Sequence, residues 1–346
     1  MFVVPEPSAP SGGDVYDRRL AQALAAAGRP VRVVEVPGSW PVPSAADRAG
    51  LARALDGAAE GAVVLLDGLV ACTAPDVLAA HERRLRLVVL VHLPLALEGG
   101  LTPSEASERH TLEHRALGSA ARSVATSDWA RRHLQEQHGL TRVATVAPGT
   151  DPAPPAPGTD GRSHLVCVAS LTPRKGHDVL LSALTRLDTE PWHLTCVGPG
   201  TGAHADQLRA TVAERRWQDR VRFTGPLTGT YLDQARAAAD LCVLASRAET
   251  YGMAVTESLA RAVPVVATQT GGVPEALGRA PDGSRPGILV APGDPAALAG
   301  ALHAWCNDPG LREGLRRSAR LRRGTLAGWD RAAEQMAAVL DRERWP

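Results

Sequence analysis

The chain has 346 residues, 44% of them hydrophobic and 22% charged, with a formal net charge of +1. That length accommodates two domains of ordinary size, and a charge so close to zero argues against nucleic acid as the main partner. No apolar run reaches the ~18–20 residues of a membrane span, and Met1 leads into Val3 and Val4 without a basic segment or signal-like core, so a cytoplasmic location is expected.

The five cysteines show no C-x-x-C spacing. Cys167, Cys196 and Cys242 sit in the apolar runs LVCVA, LTCVG and LCVLA, where a thiol behaves as a small hydrophobe, so neither a disulfide framework nor a zinc site is expected. Of the 38 basic side chains all but one are arginine, and the exception is Lys175. Such a bias fits a GC-rich genome that replaced lysine wherever the chemistry allowed; at position 175 it did not.

Taken in order, Phe2 to Val4 reads as a short buried strand, followed by Ser11-Gly12-Gly13 and an amphipathic helix from about Asp14 to Ala27. Val31 to Val36, Ala62 to Leu66, Leu87 to Val91, Ser123 to Thr126 and Arg142 to Val146 are further strands separated by helical patterns, the signature of a parallel, doubly wound α/β sheet. His92 follows the fourth strand and would project from its carboxyl end. His110 and His114 share a helix face at i, i+4 in a stretch full of charge, which reads as a solvated face and lacks the cationic stripe of a membrane-docking helix. The run DPAPPAPGTDGRS from Asp151 to Ser163 has linker composition, which divides the chain into two lobes joined by a hinge.

The alternation restarts with His164 to Ala169, then Leu171 to Gly176 and a helix through about Leu187. Trp192 to Val197 and Val221 to Phe223 are strands ending in the glycine turns at Gly198 and Gly225. Leu241 to Ala245 runs into a loop bearing Glu249 and a helix opening at about Gly252, with Glu257 one turn in. Glycine at 252 allows a close approach to the backbone, and the N–H groups of Gly252 and Met253 at a helix start suit a phosphate. Pro264 to Thr268 ends in Gly271-Gly272-Val273-Pro274-Glu275, a second flexible turn at the same sheet edge. Glu257 and Arg261, spaced i, i+4, could also be an ordinary surface ion pair worth roughly 0.3–0.5 kcal/mol. A last strand at Gly287 to Val290, helices from about Pro295 and Pro309, and a final helix from about Gly328 complete the chain. Arg312, Arg316, Arg317, Arg320, Arg322 and Arg323 read as a basic patch that is solvated or faces phosphate.

The stretch SRAETYGMAVTESLARAVPVVATQTGGVPE, with Glu249 and Glu257 as E-x7-E, resembles the signature of the retaining, nucleotide-sugar-dependent glycosyltransferases of family four (glycosyl transferases group 1). Ala147-Pro148-Gly149-Thr150-Asp151 is similar to that family's P-[NG]-G-x-D crossing segment, and Lys175-Gly176 to the end of its G-R-x-x-x-x-K-G pattern; Ala169 and Ser170 stand where Gly-Arg is usual.

The resemblance implies the B-type fold: a Rossmann-like acceptor domain over 1–151, a linker over 152–163, a Rossmann-like nucleotide-sugar domain over 164–327, and a helix over 328–346 returning to the first domain. It also implies a donor held between the lobes, with Lys175, Gly252 and Met253 at the diphosphate, Glu257 at the ribose hydroxyls, and Glu249 and His92 at the sugar. Gly12, Gly13, Arg174, Gly198, Gly225 and Tyr251 complete the implied donor site, with Arg174 as the replacement for the arginine absent at Ser170. The implied activity is metal-independent sugar transfer with retention to a small-molecule or glycan acceptor, using a nucleoside-diphosphate sugar as substrate and no cofactor. No D-x-D sequence occurs to hold a metal. Membrane association is not expected, and a nucleotide-sugar 2-epimerase of the same fold and a catalytically inactive nucleotide-sugar-binding protein remain the alternatives. The oligomeric state, the donor nucleotide and the acceptor are not legible.

Overall fold

Short apolar runs alternating with amphipathic stretches form two parallel sheets in the computed structural model, which describes residues 1–7 and 11–341. The chain divides into two units, one from Met1 to Gly149 that takes up the chain again at Ala327, the other from Thr150 to Leu326.

The first unit contains β1 (Phe2–Pro5), α1 (Gly12–Ala26), β2 (Val33–Val36), α2 (Ala45–Asp56), β3 (Val63–Asp67), α3 (Gly68–Ala71), α4 (Pro75–His81), β4 (Arg86–Val91), α5 (Pro103–Gly118), β5 (Arg122–Ala125), α6 (Asp128–His138) and β6 (Val143–Thr145). Its strands lie in the order β2-β1-β3-β4-β5-β6, every pair parallel. The order turns back at β1, which has β2 on one side and β3 on the other. The helices begin where capping chemistry dictates: Ser11, Ser44 and Thr102 each accept a hydrogen bond from the N–H three residues on and are capped in return by Asp14, Asp47 and Glu105. The core is a continuous apolar cluster in which Val64, Leu66, Leu87 and Val89 are fully buried between the helical layers.

The second unit contains β7 (His164–Val168), α7 (His177–Leu184), β8 (His193–Val197), α8 (Gly202–Glu214), β9 (Val221–Phe223), α9 (Gly229–Ala237), β10 (Leu241–Leu244), α10 (Met253–Ala260), β11 (Val265–Thr268), α11 (Val273–Leu277), β12 (Gly287–Val290), α12 (Pro295–Asn307) and α13 (Pro309–Arg323). The parallel order is β12-β11-β10-β7-β8-β9, so here the direction turns at β7, between β8 and β10. α14 (Trp329–Leu340) packs along α1 and therefore belongs to the first unit.

The Pro/Gly stretch expected to be a linker is instead bound to the second unit. Asp240, at the foot of β10, accepts hydrogen bonds from the N–H groups of Thr159, Gly161 and His164 at 2.9–3.0 Å and from Thr159 Oγ1 at 2.6 Å. Ala156 and Gly158 donate to the carbonyls of Arg261 and Ala237. Composition reported the lack of periodicity correctly but could not show where the backbone N–H groups are satisfied.

The arginine-rich patch also differs from the sequence reading. Arg312 donates to the carbonyls of Trp305 and Cys306, Arg322 to that of Leu277, and Arg323 to those of Ala260 and Ala153. These guanidinium groups tie helix ends together, and the patch is in large part structural. His110 and His114 are likewise not a plain solvated face: His110 stacks on His138 at 4.6 Å and His114 lies 5.7 Å from it. His138 is buried and bonds through Nε2 to the buried carboxylate of Glu113 at 3.0 Å. All five cysteines are free and buried, and among the described residues no helix is long and apolar enough to cross a membrane.

Candidate active site

Ligands of doubly wound sheets bind beyond the carboxyl ends of the strands where the strand order reverses. In the second unit that point lies between β7 and β10, and the loops leaving those two strands carry Lys175 and Glu249. After β7 the chain makes a single turn of 3-10 helix at Pro173–Lys175 and closes it with Gly176 at φ +66°. A Cβ at Gly176 would stand 2.1 Å from the Ala245 carbonyl oxygen, so only glycine lets this turn lie against the end of β10. That contact brings Lys175 Nζ into an ion pair with Glu249. The Glu249 carboxylate is buried, which would raise its pKa, but Lys175 and then Arg174 override burial and hold it below the ordinary carboxylate range.

Further loop contacts fix this arrangement. Arg247, which sequence reasoning did not single out, forks onto Asp178 at 2.8 and 2.5 Å and donates to the Pro173 carbonyl, clamping the Glu249 loop to the Lys175 turn. Gly272 N–H donates to the Glu249 carbonyl, while Thr268 and Thr270 hydroxyls donate to the carbonyls of Ser246 and Arg247. The two glycine loops of the E-x7-E stretch are thus bonded to each other. His177, beneath the turn, is pushed down to about 4 by burial and then by His204 and Lys175, so it is a neutral structural imidazole.

Gly252 opens α10 at φ +94°, a left-handed conformation that favours glycine, and a Cβ there would stand 3.6 Å from Glu249 Cγ, so the start of α10 lies beside the Glu249 side chain. Tyr251 packs partly buried against the hydrophobic core. Glu257 does not pair with Arg261 as its spacing permits. Its carboxylate takes an ion pair from Arg236 of α9, while Arg261 bonds to Asp233 and, through Nη1, to the Glu257 main-chain oxygen at 3.4 Å. The neighbouring glycines differ in kind. A Cβ at Gly198 would meet the Ala169 carbonyl at 2.2 Å, so this glycine lets β8 end against β7, whereas Gly225 has open space and accepts from Gly198 N–H at 3.0 Å. Arg174 Nη1 lies 3.4 Å from the Ala248 carbonyl oxygen, on the Glu249 loop.

The first unit has its own cluster at its reversal point, between β1 and β3. His92 Nε2 lies 2.8 Å from Asp17 Oδ1 and 3.5 Å from Asp67 Oδ2. Asp67 ends β3 and caps α3 by accepting Leu69 N–H; Asp17 is one turn into α1. Gly68 permits the approach, since a Cβ there would stand 2.9 Å from the Leu90 carbonyl oxygen. Gly13 lies against the His92 ring, its missing Cβ 3.3 Å from Cδ2, and Gly12 has open space. Tyr16 closes the other side edge-on, 5.0 Å between centroids, with its hydroxyl on the Val146 carbonyl. Burial lowers the affinity of His92 for its proton, but Asp17 and Asp67 more than reverse this and push it up to about 9. Burial, reinforced by Asp17, pushes Asp67 well above the carboxylate range. The nitrogen and oxygen atoms of the three side chains lie within 4.8 Å of one another, with His92 Nε2 and Asp17 Oδ1 hydrogen-bonded.

The family described as glycosyl transferases group 1 matches residues 162–308, the span that carries Lys175, Glu249 and Glu257. The D-inositol 3-phosphate glycosyltransferase of Jonesia denitrificans is 31% identical over 298 residues, covering 77% of this chain and 68% of that protein. This chain belongs to the glycosyl transferases group 1 family. The enzyme of the same name from Pseudarthrobacter chlorophenolicus is 32% identical over 269 residues, covering 72% of this chain and 63% of its own length. Solved structures share the fold of this group 1 chain from end to end. Sucrose-phosphate synthase from Thermosynechococcus elongatus superimposes with a TM-score of 0.78 at 21% identity, covering 98% of this chain and 97% of that one. Anabaena HepE, in complex with UDP and glucose, gives 0.74 at 17% identity over 98% of both chains. The two-sheet B-type architecture expected from the sequence is therefore correct.

Proposed function

We propose that this glycosyltransferase moves a sugar from a nucleoside-diphosphate sugar to an acceptor hydroxyl with retention of anomeric configuration and without a divalent metal or other cofactor. The observation that carries the reading is the Lys175–Glu249 pair at the reversal point of the second sheet, beside the first turn of α10. Lys175 carries three donors and spends one on Glu249, so its ammonium can also meet the donor's diphosphate, with the N–H groups of Gly252 and Met253 on the far side. Glu257 binds the ribose hydroxyls, and Glu249 and His92 contact the sugar.

As the sugar departs, charge grows on the leaving diphosphate, and donors already aimed at that position lower the barrier without reorganising. No residue in this reading acts as a covalent nucleophile. The incoming hydroxyl attacks from the face the leaving group vacates and passes its proton to the departing phosphate oxygen.

UDP-glucose and D-inositol 3-phosphate are the first donor and acceptor to test, because the names of structural and sequence relatives print them. The decisive assay is transfer in excess EDTA. Activity that persists supports the reading; activity lost on chelation and restored by Mg2+ or Mn2+ would reject the proposed phosphate site. A new 2-epimer formed from donor alone would favour the epimerase alternative instead.

A further inference from the structure

We propose that Asp17 and Asp67 are positioning residues that hold His92 as a fixed imidazolium, so that the first unit supplies the reaction with a cationic hydrogen-bond donor and not a general base. The inference rests on His92 being the sugar-contacting residue of the function proposed above.

The geometry fixes the tautomer. One ring nitrogen, Nε2, faces both carboxylates, at 2.8 Å for Asp17 and 3.5 Å for Asp67, and carboxylate oxygens can be satisfied there only by an N–H. Gly13 and Tyr16 confine the ring on two sides, and both aspartates are buried on backbone that is itself fixed, Asp67 by the α3 cap and Asp17 within α1.

Burial opposes a proton on His92, and among the described residues the acidic groups that outweigh it are Asp17 and Asp14 from α1 and Asp67 from the end of β3. Tyr16, the aromatic neighbour, is neutral, with burial holding its hydroxyl far above the usual range. Two adjacent buried carboxylates would repel, and this is relieved by Asp67 keeping a proton.

Such a cluster has a consequence for chemistry. An imidazole already carrying both protons at neutral pH cannot take one from the attacking hydroxyl. It can stabilise negative charge or orient sugar hydroxyls, and it leaves the proton to the departing phosphate.

The test is a titration of the 15N-histidine-labelled full chain by NMR, in EDTA, with the His92 signal assigned from His92→Gln. The wild-type ring is expected to stay protonated from pH 6 to pH 8, and Asp17→Asn to lower its midpoint by about 1–3 units. Asp67→Asn serves as the second variant should Asp17→Asn fail to fold. A wild-type His92 that titrates near ~6.5, a midpoint indifferent to both variants, or displacement of the ring proton at pH 7 by added Zn2+ would overturn the proposal. Because the titration reads charge directly, it stands whether or not sugar transfer is detected.

The kinetic arm separates positioning from mere scaffolding. Wild-type kcat should show no acidic limb near pH 6.5, whereas Asp17→Asn should lose rate as pH rises past its lowered midpoint while binding nucleoside diphosphate with unchanged affinity. An Asp17→Asn rate equal to wild type across this range would overturn the positioning role.

Discussion

Replacing Lys175 by methionine keeps the aliphatic stem and removes the charge, which leaves the Glu249 carboxylate buried with its main partner gone. Lys175 and Glu249 side chains are only 16% and 11% exposed, so little solvent is at hand to take over. Removing one member of such a pair costs about 3 kcal/mol, the low end of the range for buried pairs because Ser246 Oγ still donates at 3.3 Å. For a unit of this size that corresponds to a fall in Tm of roughly 6–12 °C. Adding Glu249→Gln removes the stranded charge and should recover about 1–3 kcal/mol.

The pH dependence follows from the sign of the shift. Glu249 has a lowered pKa in the folded protein, so its contribution is complete above the unfolded value of about 4.3 and is lost as pH falls through the folded value. The difference between wild type and Lys175→Met should therefore be largest near pH 7 and shrink as pH falls, first as the stranded Glu249 of the variant takes up a proton and then as that of the wild type does. Calorimetry of the four proteins of the cycle measures it. A Lys175→Met protein melting within about 2 °C of wild type at pH 7, under 1 kcal/mol, would refute the pairing as the source of the Glu249 charge, as would a Glu249→Gln addition that restores nothing.

Lys175→Arg should slow transfer on the order of a hundredfold, because a planar fork cannot occupy the position of a compact ammonium beside Glu249; kcat/KM within about twofold of wild type, with Arg174→Lys as control, would count against a phosphate role. Glu257→Gln should weaken nucleoside diphosphate binding by about 1.5–3 kcal/mol in calorimetric titration, whereas Glu249→Gln should chiefly lower kcat, and equal nucleotide affinity for Glu257→Gln and wild type would remove Glu257 from the ribose. Gly176→Ala, which puts a Cβ 2.1 Å from the Ala245 oxygen, should abolish nucleotide-induced thermal stabilisation even where the chain still folds, and a normal shift would mean that the turn's closeness to β10 is dispensable.

The strands were legible because each is a short apolar run set off by glycine or polar turns, and a strand buried on both faces leaves that mark in composition. The stretches bearing Lys175, Glu249 and Glu257 stand out in the sequence because they set charged side chains beside a glycine and a helix start at fixed spacing. Partners distant in sequence were not. Asp17 reads as an ordinary polar residue of an amphipathic helix, and only the parallel pairing of β1 with β3 and β3 with β4 carries it to His92. Arg236 and Arg247 were lost in a chain rich in arginine, where one guanidinium looks like another until its carboxylate is located. The linker composition over Asp151–Ser163 misled because one aspartate, Asp240, gathers the N–H groups that would otherwise face water.

Lys175 also has a use unconnected with turnover. It is the sole lysine, and so the sole side-chain amine, in the sequence. Reagents that elsewhere scatter over dozens of lysines can here modify one side chain, and that one is shielded by a carboxylate. An anionic aldehyde such as pyridoxal phosphate, followed by borohydride, would fix a spectroscopic label at this single position. Its rate of attachment would then report how far any candidate ligand occludes the Lys175 turn, without an acceptor ever having to be known.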